Sequence, residues 1–115
     1  MKREIGRRAE ELAVEHLIGQ RYVIIERNFR CRWGEIDIIC RKDGVLVFVE
    51  VRSKRSERFG SPEESINYNK MSKIRKTAFE YLNERNLRIK EIRFDFIGID
   101  FQSRQPIIKH IEGAF

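Results

Sequence analysis

Apolar residues recur at helical spacing near the start of the chain, at Ile5, Ala9, Leu12, Ala13 and Leu17. The pattern predicts an amphipathic helix over 3–18, with Gly19 placed to end it. His16 falls on the same side, where a packed or edge histidine is expected rather than a ligand. From residue 22 the pattern changes. YVIIERNFR, over 22–30, is rich in β-branched and aromatic residues and predicts a strand. Residues 31–34 turn the chain. EIDIICR (35–41) and VLVFVEVR (45–52) follow as two strands joined around Lys42-Asp43-Gly44, and an Asp-Gly pair between apolar runs is a strong hairpin signal. SKRSERFGSPEES is polar and predicts a loop, in which Ser61-Pro62-Glu63-Glu64 reads as a helix start. Residues 67–69 interrupt that turn. A longer helix is predicted over 69–84, with Met71, Ile74, Ala78 and Leu82 on one face and Lys70, Lys73, Arg75 and Lys76 on its other side. IRFDFIGIDF (92–101) alternates as a strand, and PIIKHIEGAF supplies a last strand and a frayed tail. The order αβββαββ predicts an α/β (α+β) fold, a mixed central sheet flanked by helices.

The length of 115 residues suits one domain over 1–115. No apolar run is long enough to span a bilayer, and the charged start MKREIGRRAEEL has no secretory apolar segment, so a cytoplasmic protein without a membrane partner is expected. Lys and Arg number 24 against 18 Asp and Glu, a formal net charge of +6. Such a balance fits an anionic partner, most often nucleic acid, and equally fits simple solubility. Cys31 and Cys40 form no CxxC pair and stand near no histidine cluster, which argues against a zinc site and for reduced thiols.

The hairpin poses a chemical question. With Asp43-Gly44 as the turn, Lys42 faces Val45, Ile39 faces Phe48, Asp37 faces Glu50, and Glu35 faces Arg52. Directly opposed residues have Cβ atoms roughly 4.5–5.5 Å apart, so Asp37 and Glu50 repel. Ile39, Leu46 and Phe48 share their face, which implies that it is covered. A covered pair of like charges requires a shared proton, an Arg or Lys, or a divalent cation. A solvated face, or a register moved by one residue, is the alternative. Glu10 lies at the margin of the first helix's apolar stripe, either leaning toward the sheet or exposed.

A helix carrying an acid, a strand carrying Asp, and a strand carrying Glu-x-Lys or Glu-x-Arg together resemble the core of the PD-(D/E)xK nucleases, which have a restriction-endonuclease-like fold. The stretches GRRAEELAVEHL, NFRCRWGEIDII, LVFVEVRSKRS, RFGSPEESI and RFDFIGID resemble, in order and over nearly the whole chain, the YraN-type bacterial family, related to archaeal Holliday junction resolvases. The resemblance implies that Asp37 and Glu50 are metal ligands, joined by the backbone carbonyl of Val51 and assisted by Glu10. Arg52 would occupy the superfamily's Lys position, and Lys70 would match a basic position near phosphate. Ile36 replaces the Pro of the superfamily name. Arg52 is the weightier departure, because Arg stays protonated and cannot act as a general base. It can orient phosphate and stabilise negative charge; its structural role would be a cross-strand ion pair with Glu35.

The implied activity is Mg²⁺- or Mn²⁺-dependent hydrolysis of DNA phosphodiesters, leaving a 5′-phosphate, at branched or single-stranded structures. Glu10, Asp37, Glu50 and Arg52 would form the catalytic set. Arg55, Arg58, Lys70, Lys73 and Arg75 would track the phosphate backbone, which positions nucleic acid without reading sequence. Trp33, Phe59 and Tyr68 either stack on unpaired bases or anchor loops. A homodimer, with an apolar edge strand between copies, would suit a substrate with two scissile strands. The alternatives are a non-catalytic nucleic-acid-binding module of the same fold and a protein-interaction scaffold using the second long helix.

Overall fold

The computed structural model describes residues 2–54, 67–87 and 89–115, with the backbone alone for residues 2 and 3. The expected helix start at Ser61-Pro62-Glu63-Glu64, and Arg55, Arg58 and Phe59, lie outside the described residues. The elements are α1 (Lys2–Gly19), β1 (Val23–Cys31), β2 (Gly34–Lys42), β3 (Val45–Lys54), α2 (Tyr68–Arg85), β4 (Glu91–Asp100) and β5 (Ile107–Ile111). The strands form one mixed sheet in the order β1-β2-β3-β4-β5, with β3 and β4 parallel and the other pairs antiparallel. The α+β architecture and element order agree with the sequence pattern.

Alternation along β3 divides the core. Val47, Val49 and Val51 point to the α1 face, where they meet Ala9, Ala13 and Leu17. Leu46 and Phe48 point to the other face, against Ile74, Ala78 and Tyr81 of α2. Glu50 has the parity of Phe48 and therefore emerges under α2. The covered face expected from Ile39, Leu46 and Phe48 is thus the α2 face.

Two turns fix this frame. Asp43 (φ 51°) and Gly44 (φ 78°) both take the left-handed region that a tight two-residue hairpin requires, and Lys42 pairs with Val45. The end of α1 differs from expectation. Gly19 is still helical, and Arg21 (φ 70°) adopts the left-handed cap conformation. Arg21 N–H donates to the Ile18 carbonyl and Tyr22 N–H to the Leu17 carbonyl, the paired bonds of a Schellman motif. Leu17 and Tyr22, both buried in the α1-side core, close it, so the apolar contact sets the cap in place of the glycine. The second long helix begins one residue early, at Tyr68, because Asn67 Oδ1 accepts Lys70 N–H at 2.9 Å and caps it.

Candidate functional site

The β2–β3 ladder runs from Lys42↔Val45 to Ile38↔Val49 and stops there, although both strands continue. Beyond that point β2 stays paired only with β1, as far as Cys31↔Gly34. Asp37 and Glu50 are the first residues past the divergence. Asp37 Oδ2 takes the place of the missing strand partner and accepts Val51 N–H at 2.7 Å. Glu50 is 5 % exposed and Asp37 is partly buried. A cleft of about 450 Å³ opens above them, lined also by Gly34, Arg52, Lys70 and Lys73.

Counting along the hairpin also predicts an ion pair between Glu35 and Arg52, and this one does not form. With the ladder ended, the two are not opposed. Glu35 instead pairs with Arg30, its neighbour on β1, at 3.1 Å. Arg52 turns to Glu50 at 3.0 Å, and Lys70 reaches the same Glu50 oxygen at 3.3 Å. The ion pairs among the described residues therefore place two cations on Glu50 and none on Asp37.

Electrostatics separate this pair from ordinary carboxylates. Burial, then the charge of Glu50, pushes Asp37 well above the usual carboxylate range; the Val51 N–H opposes this only in part. Burial pushes Glu50 up too, with Arg52 pulling against it. Glu10 arrives from α1 into an adjoining cleft, where it meets Arg7, Arg27 and Asn28, and Glu35 belongs to both clefts. Burial raises Glu10 against the pull of Arg27, and its charge in turn helps to raise Asp37. Asn28, left-handed at φ 56°, sets its side-chain amide between Glu35 and Glu10; the amide orientation assigned from these neighbours turns the nitrogen toward Glu35 Oε1 at 3.0 Å and Glu10 Oε1 at 2.9 Å, which would bridge the two acids. Among the described residues, no three His, Cys, Asp or Glu side chains come together as a ready cage for a metal ion.

A second buried aspartate provides the contrast. Asp95 on β4 is 0 % exposed. It accepts Arg93 Nε at 2.8 Å and Arg93 NH2 at 2.9 Å, with His110 Nε2 at 2.7 Å and Gly113 N–H at 3.0 Å. Burial alone would raise Asp95, but these donors outweigh it and hold the carboxyl below its ordinary value. Asp95 is a satisfied structural charge. Asp37 has one main-chain donor and a like charge beside it.

Of the basic residues singled out in the sequence, Lys70 and Lys73 line the cleft. Arg75 lies apart, its guanidinium carbon 5.9 Å from the Phe94 ring centre. Trp33 and Tyr68 are exposed, at 38 % and 80 %. Cys31 and Cys40 are both free thiols, and burial pushes Cys40 up to about 12. Glu35 and Asn28 are the site residues that pattern reasoning missed; the available signal was an Asn beside the strand's acidic end, a residue type that tolerates positive φ. Among the described residues, no helix is long and apolar enough to cross a membrane.

The family model of "Uncharacterised protein family UPF0102" matches residues 9–99, a span that contains Glu10, Asp37, Glu50 and Arg52. A UPF0102 protein of Syntrophomonas wolfei is 44 % identical over 115 residues, covering 100 % of both chains. A UPF0102 protein of Persephonella marina is 50 % identical over 110 residues, covering 96 % of this chain and 91 % of the relative. One from Dictyoglomus turgidum is 39 % identical over 115 residues, covering 98 % of each. With full-length relatives at this identity and a family match from the first helix to the fourth strand, the chain belongs to the UPF0102 family, the YraN family that its motifs resemble.

Proposed function

We propose that the protein is a metal-dependent, structure-selective endonuclease that hydrolyses DNA phosphodiester bonds, in the manner of a Holliday junction resolvase. The observation that carries this reading is the pair Asp37 and Glu50, set at the floor of a cleft where two strands part, with Arg52, Lys70 and Lys73 around it. Structural acids are neutralised in place, as Asp95 is. Asp37 is kept without a cationic partner among the described residues, next to a second acid, where its charged form is disfavoured.

The donor set suits a hard divalent cation, which takes oxygen ligands and is commonly held by one or two carboxylates together with substrate phosphate and water. Asp37 and Glu50 would supply the carboxylate oxygens. The carbonyl of Val51 shares a strand edge with its N–H, which reaches Asp37, so it belongs to the same group of oxygens. Glu10 would act on Asp37 through its charge. A bound Mg²⁺ or Mn²⁺ would supply a water of lowered pKa and a Lewis acid for the phosphoryl oxygen. Arg52 stays protonated, so it would hold the phosphate and offset developing negative charge rather than remove a proton. Lys70, at the first turn of α2, would exchange its pairing with Glu50 for a phosphate oxygen.

A second reading is a nucleic-acid-binding module without metal chemistry. One observation favours it: Glu50 already carries two cations, Arg52 and Lys70.

Cleavage of labelled branched, single-stranded and duplex DNA with Mg²⁺ or Mn²⁺ tests the proposal, comparing the wild type with Asp37→Ala and Glu50→Ala. Metal-dependent cutting, lost in both folded variants, is the expected result. Absence of cutting on every substrate, with salt-sensitive binding that survives both substitutions, would overturn it in favour of the binding module.

A further inference from the structure

We propose that the groove at the far end of α2 from the cleft is a docking site for a short acidic peptide segment with large apolar side chains, contributed by a partner protein. The inference does not depend on the nuclease reading.

α2 runs for 18 residues, about 27 Å at the helical rise. Its first turns border the cleft of Asp37 and Glu50, and its last turn borders the opposite end of the sheet. There the helix stops short. Arg85 ends it, Asn86 turns the chain at φ 49°, and the segment leading to β4 forms a wall. The corner of the sheet past that end is left as a groove of about 990 Å³.

The groove is apolar inside. Val23 is 51 % exposed, Ile25 43 % and Leu87 42 %, and all three line it together with the buried Leu46. Single exposed apolar side chains are ordinary; grouped in a concavity with a polar rim they mark an interaction surface. A bulge in β1 contributes to the grouping. The register with β2 shifts between Ile24 and Glu26, so Ile25 and Glu26 both reach the groove, where strict alternation would send them to opposite faces.

The rim is cationic. Arg21 from the cap of α1, Arg41 of β2 and Lys90 ahead of β4 are exposed, and none has an ion-pair partner among the described residues. Of the acids that line the groove, Glu26 is taken by Arg85, and Asp43 sits in the hairpin turn.

These features select the occupant. Cations from three separate elements around an apolar floor suit a ligand that carries several acids and several apolar groups on one chain. A nucleic-acid backbone supplies the charge and leaves the apolar floor unmatched. A second copy of a chain with net charge +6 would set like charges together. An acidic peptide meets both features, its apolar anchors filling the floor and its carboxylates meeting Arg21, Arg41 and Lys90.

A displayed library of random short peptides, selected against the full chain, tests the proposal. Enrichment of sequences that interleave Asp and Glu with Leu, Ile or Phe is expected. The strongest of them, synthesised and labelled, should bind the wild type and Asp37→Ala alike in fluorescence anisotropy. Leu87→Ser and Arg41→Glu, both at exposed positions, should each weaken it at least about tenfold while leaving the melting temperature in place. Added salt should weaken the binding only in part, because the apolar contacts are not screened. No enrichment over an unrelated bait, enriched sequences without acids, or a peptide that binds both variants as tightly as the wild type would overturn the proposal. So would selection of no peptide together with a loss, in the same two variants, of binding to oligothymidylate or to phosphatidylglycerol vesicles, which would give the groove to nucleic acid or to a membrane surface.

Discussion

Val51 N–H donates to Asp37 Oδ2 at 2.7 Å, at the point where β2 and β3 cease to pair. A side chain has replaced a strand as the acceptor. The bond holds the carboxylate at the divergence and gives it too little to offset burial and the charge of Glu50.

Asp37→Asn should therefore stabilise the metal-free protein near neutral pH, because an amide oxygen can keep the Val51 bond without the charge. The folded-state pKa of Asp37 is raised, so the native protein holds a proton that the unfolded chain gives up above about pH 4. Its favourable contribution is complete below that value and disappears as pH climbs through the raised one. The gain from Asp37→Asn should be small near pH 4 and reach at least about 1 kcal/mol near pH 8, or roughly 4–8 °C in melting temperature. Mg²⁺ or Mn²⁺ should raise the melting temperature of the wild type and have little effect on the variant.

Asp95 should show the opposite pH dependence. Its folded-state pKa is lowered, so its contribution is present above the unfolded value and fades as pH falls through the folded one. Asp95→Ala would leave Arg93 and His110 facing an emptied, buried position. A loss of about 3–5 kcal/mol is expected, as for a broken buried ion pair. Urea unfolding at a series of pH values distinguishes the two aspartates by the sign of their slopes.

Lys73 and Arg75 lie two residues apart and should behave differently. Lys73 lines the cleft, whereas Arg75 lies against Phe94. Lys73→Ala should reduce the slope of log affinity against log salt by about 1 for DNA, and Arg75→Ala should leave it nearly unchanged. Fluorescence anisotropy over a salt series measures both.

Gly34 has φ 151°, a conformation that other residues rarely adopt, and it stands against α2. Gly34→Ala should cost about 1–3 kcal/mol and displace the Trp33 turn relative to Lys73. Thermal unfolding gives the first effect; the emission maximum of Trp33 gives the second.

The sequence was most readable where short-range rules govern. Asp43-Gly44 forced the turn, the turn forced Ile39 opposite Phe48, and period-two alternation then placed Glu50 under the second helix. The Glu35–Arg52 pair failed because counting from a turn assumes that the ladder continues. Nothing in the local pattern marks Ile38↔Val49 as the last pair of the ladder. The Gly19 cap failed for a related reason: the Leu17–Tyr22 contact decides where the helix ends, and that contact belongs to the core. In IRFDFIGIDF, Asp95 has the inward parity of Ile97 and Ile99, so a buried acid was in principle visible. Two of its partners, His110 and Gly113, come from beyond the strand.

Those partners also tie the residues after β4 to the middle of the sheet. β4 pairs in parallel along ten positions of β3, from Val45↔Glu91 to Lys54↔Asp100, and this brings Asp95 into the core opposite Val49. A chain with β4 but without residues 110–113 has Arg93 alone to meet that charge. Loss of residues 110–113 would therefore leave a buried charge half-partnered in the middle of the sheet, and weaken the β3–β4 core from a distance.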